Sequence, residues 1–154
     1  MKIRSEERRI LEVLQRDGRI SNVELAKAVN LSESPCLRKT KALEESGVIS
    51  GYRAVLDQKK AGYGISAYIM VSLDQRSEVD TAAFFDSVQR EERIIECVAV
   101  IGSNDMILKV VAKDIEDLGE LTMQRILRQP SVKDIASSVV LKDIKSFSGL
   151  PVAS

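Results

Sequence analysis

The chain contains no histidine. That removes the commonest general base, the imidazole metal ligand and every catalytic triad that needs one. Only two cysteines are present, Cys36 and Cys97, too few for a zinc knuckle or a disulfide framework. No apolar run approaches the roughly 20 residues of a membrane span, and a start carrying Lys2, Arg4 and Glu6 does not read as a signal peptide. An enzyme would have to rely on carboxylates, lysines or hydroxyls, so catalysis is not expected. Neither a metal nor a cofactor is implied. The reading is a soluble cytoplasmic protein with no membrane partner.

What the chain does have is enough apolar sequence to fold. It holds 154 residues, 44% apolar and 30% charged, sufficient for one ordinary domain or two small ones. A net charge of zero hides an asymmetry: residues 1–60 carry 13 Lys/Arg against 9 Asp/Glu, and residues 61–154 carry 10 against 14. A basic part joined to an acidic one implies that only the first meets a polyanion.

Within residues 1–60, Ile10, Leu11, Val13 and Leu14 recur at helical spacing after Ser5, a candidate N-cap, and Asp17-Gly18 stops the segment. Ser21-Asn22-Val23-Glu24 has the form of a capping box and opens a short second helix. Asn30-Leu31 breaks it. Ser32 then caps a third helix, with Pro35 in the first turn and Gly47 beyond the end.

At 100° per residue, Cys36, Thr40 and Leu43 share one side of that helix, with Leu37 beside them. Ser34, Arg38 and Lys41 form a narrow opposite stripe, with Lys39 flanking. A short helix packed on a helix with hydroxyls and bases on its free face is the helix-turn-helix design, and that face enters the major groove of double-stranded DNA. The candidate DNA-binding residues are Ser21, Asn22, Ser32, Ser34, Pro35, Arg38, Lys39 and Lys41. The plainer alternative is a solvated basic face. Residues 48–57 read as strand-like, a wing and then a connector, and Gln58–Gly62 is a polar, turn-rich boundary.

Residues 61–154 repeat a strand-helix-strand unit: a strand over 67–73, a helix over 80–90 and a strand over 94–101, then a strand over 106–112, a helix over 117–129 and a strand over 135–141. This βαββαβ order is the ferredoxin-like split motif, with Gly102-Ser103-Asn104-Asp105 as the central hairpin turn. The expected fold class is α+β, divided into domains 1–60 and 61–154. Apolar residues on both faces of several strands predict that a second copy covers the face without helices. An RNA-binding sheet is disfavoured, because the central strands offer no aromatic on which a base could stack.

Residues 10–26 and 29–38, Gly47-Val48-Ile49-Ser50-Gly51-Tyr52, and the late 140–145 with Leu150-Pro151 resemble the Lrp/AsnC (feast/famine) transcription regulators. The resemblance covers nearly the whole chain. It implies an N-terminal winged helix-turn-helix and a C-terminal ferredoxin-like (RAM) domain that binds a small effector, usually an amino acid. It also implies homodimers assembling to tetramers or octamers, with the effector near the central hairpin where dimers meet. The family hairpin reads Gly-x-Tyr-Asp; here Gly102 and Asp105 match, and Asn104 stands in the aromatic place.

Gly102, Ser103, Asn104 and Asp105 are therefore the candidate effector residues, with Ser137 of the last strand beside them. Glycine lets backbone amides approach a carboxylate, and aspartate holds an ammonium group. The same four residues also suit a plain hairpin turn. The changed hairpin motivates an alternative function, a ligand-independent architectural protein that wraps DNA.

Overall fold

A computed structural model describes residues 3–74 and 77–153. The chain divides into two compact units: the segment up to Val55 together with the tail from Ile144, and Leu56–Asp143. The expected boundary at 60 lies close to the first division. The tail does not follow expectation, since it leaves the second unit and joins the first.

The first unit holds α1 (Ser5–Arg16), α2 (Asn22–Ala28) and α3 (Glu33–Glu45). The N-cap of α1 is Arg4 rather than Ser5, and the Arg4 backbone N–H donates to the Glu7 carboxylate at 2.8 Å. Asn30 takes a left-handed φ of 58°, which turns the chain sharply between α2 and α3. Asparagine tolerates that conformation better than most residues. Gly47, at φ 74°, ends α3 in the same region. Ile10, Leu11, Leu25, Val29, Cys36 and Leu43 close the core between the three helices. Each large apolar side chain buried there stabilises the unit by roughly 1.5–3 kcal/mol.

After α3 the expected strand over 48–57 does not form; those residues run without ladder bonds. A strand exists only beside a partner, and none of the described strands pairs with this segment. Val55 is 95% exposed.

The second unit is a four-stranded antiparallel sheet of β1 (Ile65–Leu73), β2 (Ile94–Ala99), β3 (Met106–Ala112) and β4 (Val132–Val139), in the order β2-β3-β1-β4. With α4 (Glu78–Arg90) and α5 (Ile115–Glu120) as crossovers, this is the expected ferredoxin-like arrangement. The second crossover is shorter than 117–129: α5 runs directly into a π-helical segment, Leu121–Ile126. There the Thr122 hydroxyl donates to the Leu118 and Gly119 carbonyls, at 2.9 and 3.2 Å. β4 starts earlier than expected, because Val132 pairs with Leu73 beyond a register shift at Ser72/Leu73.

Phe84, Ile69, Leu108, Val110 and Leu121 are fully buried between helices and sheet. The opposite face presents Tyr68, Met70, Ile107, Val98, Glu96 and Lys109 by register. Lys109 Nζ lies 5.8 Å from the centre of the Tyr68 ring on that face. Among the described residues no helix is long and apolar enough to cross a membrane.

Arg93, just ahead of β2, ties that strand to α5. Its guanidinium meets Glu91 at 2.8 Å, Asp117 at 2.7 Å and Glu120 at 2.9 Å.

Candidate nucleic-acid interface and effector loop

The capping box at the start of α2 forms as the residues imply. Ser21 Oγ accepts from the Glu24 N–H at 3.2 Å and donates to the Glu24 carboxylate at 2.8 Å. The Ser21 hydroxyl and then the Ser21 backbone N–H, both donating to the Glu24 carboxylate, hold that carboxyl below its ordinary range. The Asn22 side-chain amide reaches across to the Glu33 carbonyl at 3.1 Å and joins the first turn of α2 to that of α3. Ser21 and Asn22 are thus engaged in building the motif.

Helix α3 presents its faces largely as the angular reading requires. Cys36 and Leu43 are buried, while Ser34, Arg38 and Lys41 are exposed together. Burial also pushes the Cys36 thiol up, which keeps it protonated. Ser32 occupies the N-cap position but its hydroxyl makes no capping bond. Pro35 is half-buried in the first turn.

Two side chains depart from expectation. Lys39 folds back to Glu6 of α1, with Nζ 2.9 Å from Oε2, so it is drawn away from the stripe. The lysine holds the Glu6 carboxyl below its ordinary value. Leu37, read as lying beside the core, is 43% exposed and borders the stripe instead. Its angle, 60° from Ser34, already put it nearer the free face than the buried one.

Sequence reasoning missed Tyr52. Its hydroxyl donates to Glu44 Oε1 at 2.9 Å and fastens the segment after α3 back onto that helix. Burial and this carboxylate neighbour push the phenol up to about 12. Gly18 makes room for the ring: a β-carbon there would lie 3.1 Å from Tyr52 Cδ1. The signal available was only the pairing of a glycine with an aromatic 34 positions on, which no periodicity exposes.

In the second unit, Val100–Asp105 form the loop between β2 and β3, closed by the Val100 N–H donating to the Asp105 carbonyl at 2.9 Å. Asp105 is clamped to the neighbouring strand. Its N–H donates to the Val71 carbonyl at 3.0 Å, and its Oδ2 accepts from the Leu73 N–H at 2.7 Å. Ser72 Oγ meets Asn104 Oδ1 at 3.4 Å, and the Asn104 amide donates to Ser103 Oγ at 3.2 Å. Gly102 and Ser103 are exposed at the tip. Ser137 is not part of this cluster; it lies on edge strand β4, opposite Ile69 of β1.

Residues 7–50 match the winged helix-turn-helix DNA-binding family, and residues 66–150 match the Lrp/AsnC ligand binding domain family. The leucine-responsive regulatory protein of Escherichia coli is 36% identical over 146 residues, covering 95% of this chain and 89% of that protein. The transcriptional regulator AzlB of Bacillus subtilis is 32% identical over 143 residues, covering 93% and 91%. Among solved structures, a transcriptional regulator from Neisseria meningitidis in complex with L-methionine superposes with a TM-score of 0.93 at 35% identity, covering 97% of each chain.

Proposed function

The chain belongs to the Lrp/AsnC family of DNA-binding transcription regulators, and on that premise we propose that α3 reads operator DNA while the loop Gly102–Asp105 senses an amino acid. The observation that carries the first half is the exposed stripe of Ser34, Arg38 and Lys41 opposite a fully buried Cys36 and Leu43. Arg38 suits a guanine edge, bidentate to O6 and N7; Lys41 and the Ser32 and Ser34 hydroxyls suit phosphates at the mouth of the groove. Leu37 offers an apolar contact for a thymine methyl. Lys39, Ser21 and Asn22 support the motif rather than the DNA.

The effector reading is supported by the L-methionine bound to the structurally similar neisserial regulator. Here the exposed Gly102 backbone would receive the carboxylate, and Asp105 the ammonium group. Asn104, where the family carries an aromatic, makes the wall polar. Ser137, across β1, belongs to this site only if a second copy brings its edge strand to the loop.

The apolar face of Tyr68, Met70, Val98 and Ile107 favours a homodimer closed through the sheet. Dimers place two α3 helices on half-sites about one helical turn apart. Larger assembly through the loops would let the effector alter their spacing.

The test is thermal melting with each of the twenty amino acids, followed by operator titration with and without any that shifts the melt. A ligand at 100 times its Kd stabilises by about 2.7 kcal/mol. No shift with any of them would end the amino-acid reading. Displacement by random duplex as readily as by the operator would favour architectural DNA wrapping.

A further inference from the structure

The helix-free face of the sheet carries charge as well as apolar surface. Tyr68 and Val98 stand there 40% and 42% exposed, with Met70 and Ile107 half-buried beside them. One base, Lys109, sits among them on the inner strand β3. Register sets Glu96 of β2 directly opposite it, and Tyr68 of β1 on its other side. Residues paired in this way share a face and hold their β-carbons about 5 Å apart. Lys109 nevertheless turns to the Tyr68 ring, with Nζ 5.8 Å from its centre. Among the described ion pairs none includes Glu96 or Lys109. The other acid that register places on this face, Asp134, lies on edge strand β4 opposite Ser72, beside the register shift.

A second copy laid on this face would cover the Lys109 ammonium group, and a charge taken from water without a counter-charge is strongly unfavourable. The row supplies that counter-charge itself. Glu96 and Lys109 stand side by side as a negative and a positive charge, and two such rows attract when they lie antiparallel. A two-fold axis makes the contact reciprocal: where Glu96 meets Lys109 of the second copy, Lys109 meets Glu96 of that copy.

We propose that Glu96 and Lys109 form reciprocal ion pairs between two copies of this chain, and that these pairs make the face select its own kind. The inference rests on the sheet-closed dimer proposed above and names the residues that give it specificity. A partner sheet with the wrong sign at either place meets repulsion instead of attraction.

The test is sedimentation equilibrium of the full chain at micromolar concentrations, with circular dichroism to confirm folding. Glu96→Lys and Lys109→Glu, each alone, should weaken dimer formation at least about tenfold, because each sets like charges together twice across the two-fold axis. Mixed one to one, they should associate as tightly as wild type, since every contact between copies again joins opposite signs. Asp134→Lys should dimerise as wild type does and should not rescue Lys109→Glu.

Single variants that dimerise like wild type would overturn the pairing. So would a mixture of the two folded variants that associates no more tightly than its parts. Rescue of Lys109→Glu by Asp134→Lys would also overturn it, by moving the counter-charge to β4. Failure of the sheet-closed dimer shows elsewhere: wild type would stay monomeric or would tolerate Ile107→Asp, and the ion pairs would fall with it.

Discussion

Lys39 Nζ stands 2.9 Å from Glu6 Oε2, and this pair binds α3 to α1 while withdrawing one base from the helix's free face. Lys39→Ala should therefore leave the salt dependence of DNA binding almost unchanged and lower the melting temperature modestly. Glu6→Gln should do the opposite to binding, since it releases the lysine: the slope of log affinity against log salt should steepen by about 0.9 for one added phosphate contact. Salt titrations of the three proteins on one duplex decide the matter. A shallower slope for Lys39→Ala would put that lysine on the DNA after all.

Arg38 has no such partner among the described ion pairs. Arg38→Ala is expected to cost about 1–3 kcal/mol on the operator and to relax the preference at one base pair. Arg38→Lys should recover the nonspecific part only, because an ammonium group cannot make the bidentate fork. Competition with single-base operator variants measures both. A uniform loss across all variants would reassign Arg38 to the phosphate backbone.

The parts of the molecule governed by local rules were legible beforehand. The Ser21–Glu24 box, the break at Asn30-Leu31, the Gly47 stop and the side of α3 that buries Cys36 and Leu43 all follow from local capping and turn chemistry or from the helical period. The βαββαβ order followed from period and turn chemistry. What escaped depends on partners far along the chain. Lys39 was grouped with the stripe although its angle, 60° from Cys36 and 100° from Arg38, put it nearer the buried side; its partner Glu6, 33 positions away, is announced by no pattern. The segment 48–57 had the composition of a strand and has no partner strand among the described residues. The tail carried no hint that Gln15, separated from Leu150 by 135 positions, would hold it. The family resemblance alone singled out the loop Gly102–Asp105 as a candidate effector site; Ser137, read with it, lies across β1 from the cluster.

Asp105 joins two tasks, holding β1 through the Leu73 N–H and offering negative charge at the loop. Asp105→Asn retains a carbonyl acceptor for that bond and removes the charge. Its melting temperature without ligand should stay within a few degrees of wild type. The shift induced by an amino acid should disappear, because the ammonium group loses its charge-assisted partner. A retained shift would move the ammonium site off Asp105.

The acid limb of the stability curve should be set largely around Arg93. Bonds from Arg93 hold Glu91 below its ordinary 4.5, and the Lys113 N–H followed by Arg93 holds Asp117 below 3.8. Arg125 and then Arg93 do the same for Glu120. A carboxyl lowered in the native state stabilises it fully above the ordinary value, and that contribution disappears as pH falls through the lowered native one. With no histidine to titrate, the urea midpoint should be nearly flat from about pH 5 to 8. It should then fall below pH 4.5, where the first of these groups begins to bind protons in the unfolded chain. Arg93→Gln leaves Glu91, Asp117 and Glu120 facing one another without their shared cation. It should lower stability at pH 7, and the acid-induced loss should shrink or reverse as protonation relieves the repulsion. An Arg93→Gln profile parallel to wild type between pH 7 and 3 would show that other carboxylates control the limb.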